Sequence, residues 1–262
     1  MSTPPRYVVL MGDGHPIDLD QPVGLTRSRV SKTLSKINRF GGHIPDEALW
    51  PFYSVAKHAV LVSHIVRKLG GTVEQQLMGL SHDDHEAIIS DVITPVKRWL
   101  GSAMSEKDER LFRQCMGMMR EQTGAPIQLD EPSLKIVEQA DRMALIVEGS
   151  LLGLDVRHFQ EALRTVRGLP APSLAELNAW GLFKDESTMP FRQVIQSDAQ
   201  GYLSRGRDLC LAMGLSGECF DVQDAQRAGR ASAWSPASAS RSDTPMASVP
   251  NGAGNVLTCA EP

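Results

Sequence analysis

The chain is poor in cysteine. Its 262 residues hold four, Cys115, Cys210, Cys219 and Cys259, and no two lie at the short spacing that a thiolate zinc site or a redox motif needs. They are expected to be reduced bystanders. No run approaches the ~20 apolar residues of a membrane span, and the opening MSTPPRYVVLMGDG lacks the long apolar stretch of a secretory signal. The expectation is a cytosolic protein with no membrane partner. A large charge of either sign is also missing: a formal net charge of -4 gives no electrostatic reason to expect a nucleic-acid polymer as partner, whereas free nucleotides stay open as ligands. Strand-like alternation is confined to the opening Tyr7–Met11 run.

What the sequence does have is helical periodicity, from about residue 25 onward, so the predicted fold is all-α. Leu25, Val30, Leu34 and Ile37 form the stripe of a first helix over about 25–39, ended by Gly41-Gly42. Ser54 caps a second over about 55–69, with Val55, Ala59, Val62, Val66 and Leu69 on its inner face. Thr72 and Gln75 make a capping box for a third, which runs into His82-Asp83-Asp84-His85-Glu86. Pro95 is expected to force an irregular connection before a fourth helix begins near Ser105. A fifth, about 133–148, buries Ile136, Val137, Ala140 and Ala144, with Asp141 beside that face. Further helices are expected near 157–166, from the Ser173–Glu176 capping box, and over about 190–213. The organisation reads as an N-terminal segment 1–24, a domain over 25–220 and a tail over 221–262 whose Ala, Ser, Arg, Gly and Pro content cannot build a core.

His82 and Asp83, adjacent on a helix, can serve one ion only if it lies in the groove between that helix and its neighbours. His58 on the second helix and Asp141 on the fifth, each flanked by apolar residues, are the matching donors. Two imidazoles and two carboxylates suit a divalent ion such as Mn²⁺, Co²⁺, Fe²⁺ or Zn²⁺ and leave room for water or a phosphate oxygen. His64, six positions from His58, is rotated well away and reads as structural; His43 reads as a loop residue. His85, one turn beyond His82, reads as an outer hydrogen-bonding partner or as a contact to a second metal or a phosphate.

This pattern resembles the HD-domain phosphohydrolases: a His on one helix, a His-Asp doublet on the next and a later Asp. The blocks Tyr53–Val60 (YSVAKHAV), His82–Ala87 (HDDHEA), Asp91–Lys97 (DVITPVK) and Ala140–Arg142 (ADR) look like those of bacterial 5'-deoxynucleotidases, and Asn38–His43 (NRFGGH) resembles the version in phage dATP triphosphohydrolases. The resemblance spans about residues 25–150. It implies an HD-domain helical bundle with the metal site between helices, and an enzyme that frees a deoxynucleoside from its 5' phosphate or triphosphate. It also implies that Glu86 and Asp91 orient the attacking water and protonate the leaving oxygen. Arg39 and Lys97 would neutralise phosphate, and Phe40 would sit against the sugar C2'. Phe40 departs from the Trp of the bacterial enzymes. The separation of Glu86 from Asp91 differs from the adjacent Glu-Asp of alarmone hydrolases. A cyclic-nucleotide phosphodiesterase and a binding module that holds metal and nucleotide without turnover are the alternatives. Monomer and homo-oligomer both stay open.

Overall fold

The computed structural model describes residues 7–45, 48, 50, 52–182, 186 and 189–221; the expected tail, from residue 222 on, lies outside the described residues. Helix α2 (Val55–Lys68) is apolar on almost every side, with eleven of its fourteen residues buried. Such a helix must be surrounded, and α3 (Val73–Ser81), α7 (Glu131–Leu151) and α10 (Phe191–Ala212) pack around it. Helix α1 (Arg27–Leu34) lies against α10. Among the described residues the protein is helical apart from one small sheet, consistent with the all-α expectation.

That sheet corrects the reading of the opening segment. β1 (Val8–Leu10) pairs antiparallel with β2 (Pro16–Asp18), which has no alternating pattern of its own. The first helix is shorter than its stripe. It stops at Ser35, and the chain from Ile37 to Arg39 turns to pair with the entry to α2: the Val55 amide donates to the Ile37 carbonyl at 3.0 Å and the Arg39 amide to the Tyr53 carbonyl at 2.8 Å. The Ser54 cap and the Thr72–Gln75 capping box are both formed.

Two further corrections bear on the site. Helix α3 ends at Ser81, so His82 to His85 form a turn before the short α4 (Glu86–Ile89) rather than continuing a helix. Pro95 does not interrupt: it occupies the first turn of α5 (Thr94–Leu100), where its missing N–H has no helical partner to lose. Helix α6 then starts at Ser102 and runs to Thr123. A 3-10 turn over Val156–His158, α8 (Gln160–Thr165) and α9 (Leu174–Ala179) complete the chain before α10.

The α2–α3 approach is close because Gly79 has no side chain. A Cβ there would lie 3.0 Å from Val66 Cγ2 and 3.6 Å from the Ser63 Cα.

Candidate metal centre

Helix α2 and the turn after α3 bring three ligating groups together, and helix α7 adds Asp141 beside the two imidazoles. His58 Nε2 lies 3.4 Å from His82 Nε2, 3.4 Å from Asp83 Oδ2 and 3.2 Å from Asp141 Oδ1. His82 Nε2 lies 3.3 Å from Asp83 Oδ2 and 3.8 Å from Asp141 Oδ1. Most of these separations exceed the 2.7–3.2 Å of a good N–H···O bond. Ligand atoms about 2.0–2.2 Å from a shared ion, however, stand roughly 2.8–3.6 Å from their neighbours. His58, His82 and Asp83 alone bring their donor atoms within 4.8 Å of one another, and Asp141 touches both imidazoles.

The outer nitrogens fix the orientation. His58 Nδ1 donates to Glu148 Oε1 at 2.8 Å, and His82 Nδ1 donates to the Gly79 carbonyl at 2.8 Å. With each Nδ1 proton so used, each Nε2 faces its neighbours with a lone pair when the ring is neutral, the arrangement that metal-binding histidines need. His58 and Glu148 are fully buried. The residues present therefore fit a divalent ion.

The charges show what stands in for an ion when none is bound. Burial and Arg39 oppose a charge on His58, but Glu148 and Asp141 outweigh them and lift its pKa to about 10. Burial likewise opposes a charge on His82, and Asp83 and Asp141 overcome it, raising that pKa. Asp83 and Asp141 are held below the usual carboxylate range against the cost of burial, chiefly by the two histidines. A proton on His58 thus offsets part of the carboxylate charge, the acids beside His82 favour one there too, and a cation would displace them.

Arg39 enters this cluster directly. Its Nη1 is 3.7 Å from Asp83 Oδ2 and its Nε 3.7 Å from Glu148 Oε2. Asn38 holds the segment by accepting from the Tyr53 amide at 2.9 Å. Phe40 follows in the left-handed region, φ 60° and ψ 23°, which a bulky residue occupies only where its surroundings compel it. Gly41 and Gly42 continue the turn with positive φ, and the Gly41 amide reaches Asp91 Oδ2 at 3.5 Å. His43 ends this turn as an exposed residue.

Glu86 is buried, and one of its carboxylate oxygens has no hydrogen-bond partner. Burial first, and then the charges of Asp83 and Asp91, push its pKa well above the usual carboxylate range, favouring the protonated form. Lys97 is not a free cation: its Nζ binds Asp108 Oδ2 at 2.9 Å, while Asp108 Oδ1 lies 3.2 Å from His85 Nε2. Burial opposes its charge, but Asp108, with Glu86 and Asp83, keeps the Lys97 ammonium protonated. His64 stacks on Trp180 at 4.9 Å, away from the cluster, and burial pushes its pKa down to about 3.

Sequence reasoning missed Glu148 and Asp108. Glu148 had a signal, since it lies seven residues after Asp141 and so two turns along the same face of α7. Asp108 had none, because α6 meets His85 only through tertiary packing.

These features define a helical protein with a largely buried cluster of His58, His82 and Asp83, flanked by the partly exposed Asp141. No protein-family model matches the chain. It is 33% identical over 162 residues to the uncharacterized protein YfdR of Escherichia coli (strain K12), an alignment covering 60% of this chain and 79% of that protein. Over 169 residues it is 27% identical to the uncharacterized protein RCAP_rcc00048 of Rhodobacter capsulatus, covering 63% and 81%. The chain belongs to the same family as YfdR.

Proposed function

We propose that this protein is an HD-domain, metal-dependent phosphohydrolase that cleaves the 5' phosphate ester of 2'-deoxynucleotides. The observation that carries this reading is the convergence of His58, His82 and Asp83, with Asp141 against both imidazoles, beside a buried Glu86 whose pKa is raised. A divalent ion held by those four residues supplies Lewis acidity, lowering the pKa of water and taking up charge on phosphoryl oxygens.

The chain's own residues do the rest. As the bond from water oxygen to phosphorus forms and the bond from phosphorus to the 5' oxygen breaks, one proton must leave the water and one must reach the departing oxygen. Glu86, whose burial favours the protonated form, is the donor to the leaving oxygen; Asp91, within reach of the Gly41 amide, is the acceptor. Arg39 exchanges its long contacts to Asp83 and Glu148 for the phosphate, and Lys97, positioned by Asp108, adds a second cation. Because scission falls at the 5' oxygen, a monophosphate and a triphosphate are cleaved by the same steps. Phe40 lies beside Arg39, where its ring would close the space of a 2' hydroxyl. A buried hydroxyl left unpaired costs about 1–3 kcal/mol, or roughly 5- to 150-fold in preference.

The test is chromatography of dAMP, dATP, AMP, ATP and cyclic AMP after incubation with the protein and Mn²⁺ or Co²⁺, with Glu86→Gln run alongside. Deoxyadenosine with phosphate or intact triphosphate is the expected product, at a rate about 10² to 10⁴ lower in a variant that keeps its ion. Release of dAMP with pyrophosphate, or equal turnover of ribonucleotides, overturns the reading.

A further inference from the structure

Helix α5 is turned inside out. Of its seven residues Lys97 alone is half-buried, while Val96, Trp99 and Leu100 stand exposed, Trp99 at 83%. Hydrophobic burial would roll the helix the other way, so apolar packing does not decide where Lys97 points. Arg98 pairs with Glu161 of α8, but exposed pairs contribute little. What holds Lys97 inward is its 2.9 Å bond to Asp108.

Asp108 is braced in turn. Helix α6 brings two groups to His85: Asp108 Oδ1 lies 3.2 Å from His85 Nε2, and the Phe112 ring, one turn further along, stands edge-on to the imidazole with centroids 6.2 Å apart. His85 is buried, its Nδ1 has no hydrogen-bond partner, and its contact with Asp108 is a close polar approach short of an aligned hydrogen bond. Burial opposes the charge of Asp108, yet His85 and Lys97 hold its carboxyl below the usual carboxylate range. The Lys97 ammonium so held is near enough to Glu86 and Asp83 for both to favour its charge. An ammonium has three donors, so with one given to Asp108 two can turn to a phosphate.

We propose that His85 and Asp108 are positioning residues that act together: the imidazole braces the carboxylate, and the carboxylate holds Lys97 toward the phosphate of the substrate. This rests on the hydrolase reading and deepens it, because it gives His85, two residues after a candidate ligand, a task toward phosphate rather than metal.

The test is a double-mutant cycle read by calorimetric titration of the Mn²⁺-loaded protein with inorganic phosphate, a probe that needs no turnover. Lys97→Met is expected to weaken phosphate binding by about 10-fold or more, and His85→Leu or Asp108→Asn by about 3-fold or more. Added to Lys97→Met, neither change is expected to weaken it further, since the cation through which they act is gone. His85→Gln, which keeps an N–H in reach of Asp108, is expected to recover most of the affinity. Asp108→Asn, nearly identical in shape, carries the cycle if the leucine variant fails to fold. Titration with Mn²⁺ is expected to give wild-type affinity throughout. Additive losses in the Lys97→Met background, phosphate affinity untouched by the single changes, no phosphate binding by wild type, or a drop in Mn²⁺ affinity in Asp108→Asn or His85→Gln each overturns the proposal. Turnover separates the two ideas: a wild type that hydrolyses no dAMP ends the hydrolase reading, while a non-additive cycle with phosphate still supports the brace.

Discussion

Asp84 points into the helix bundle, where Arg27 and Tyr202 hold its two oxygens and Gln122 Oε1 accepts from Arg27 Nε at 2.9 Å. Asp83, one residue earlier, points the other way into a group of imidazoles and carboxylates whose mutual distances are mostly too long for strong hydrogen bonds. Asp84 and Arg27 are fully buried and matched in charge, and both Asp84 oxygens are held, while Arg27 Nη2 alone lacks a hydrogen-bond partner in this cluster. In the other, the carboxylates raise the pKa of both His58 and His82, so that imidazole protons offset part of their charge. Two acids on one turn thus differ in how they are held: the protein takes both Asp84 oxygens in close hydrogen bonds, while Asp83 shares longer contacts with two imidazoles and Arg39.

The most forceful way to break this comparison is to cut both clusters. Removing one partner of a buried ion pair costs about 3–5 kcal/mol, so Arg27→Met is expected to lose about that much in urea unfolding while metal content per folded chain stays constant. Asp83→Ala is expected to do the reverse, losing the ion in metal analysis with a smaller change in the stability of the metal-free protein. Identical outcomes for the two variants would merge the clusters into one structural core.

A smaller effect sharpens the boundary. Glu148→Gln can still accept the His58 Nδ1 proton, so the fold is expected to survive, but the weaker partner should lower metal affinity by about 10- to 100-fold. Calorimetric titration with Mn²⁺ measures it. Unaltered affinity would place Glu148 with Arg27 and Asp84 as packing alone.

The gentlest test changes only pH. The folded pKa of His58 is raised from 6.5 to about 10, so its contribution to the metal-free protein is fully present below 6.5 and is lost as pH rises through 10. Stability of the metal-free chain is expected to fall across that interval, by at most about 1.4 kcal/mol per pH unit for one proton. Metal affinity should rise across it, because fewer protons must be displaced. Thermal melts at several pH values, with and without Mn²⁺, give both slopes. A metal-free protein that gains stability toward pH 10 contradicts the charge balance described.

Much of the helical content was legible because α2 and α7 carry long apolar stripes and because Ser54, Thr72 and Ser173 are caps with local partners. The four metal-binding candidates were readable for a related reason: a polar residue embedded in such a stripe has few places to go. What was hidden depends on contacts distant in sequence. β2 exists only because β1 lies beside it, and the Arg39 turn takes its shape from the entry to α2. The resemblance gives Lys97 a phosphate to neutralise and says nothing of Asp108, the acid that pairs with it, because no periodicity reveals how the helix carrying Asp108 is placed. Pro95 was taken as a breaker because a proline in a first turn and a proline in a loop look alike until the following residues are seen to wind.

Gly79 binds no metal in this scheme, yet it acts on the centre twice. Its carbonyl aims His82, and its bare Cα lets α3 lie against Val62, Ser63 and Val66 of α2, the helix that carries His58. The two histidines are the jaws of a caliper, and this residue is its closed stop. A single methyl inserted there is a shim: it would part the helices by a few tenths of an ångström and widen the jaws without touching either tip. An ion held between these histidines would meet a spacing set in part at a position that never touches it.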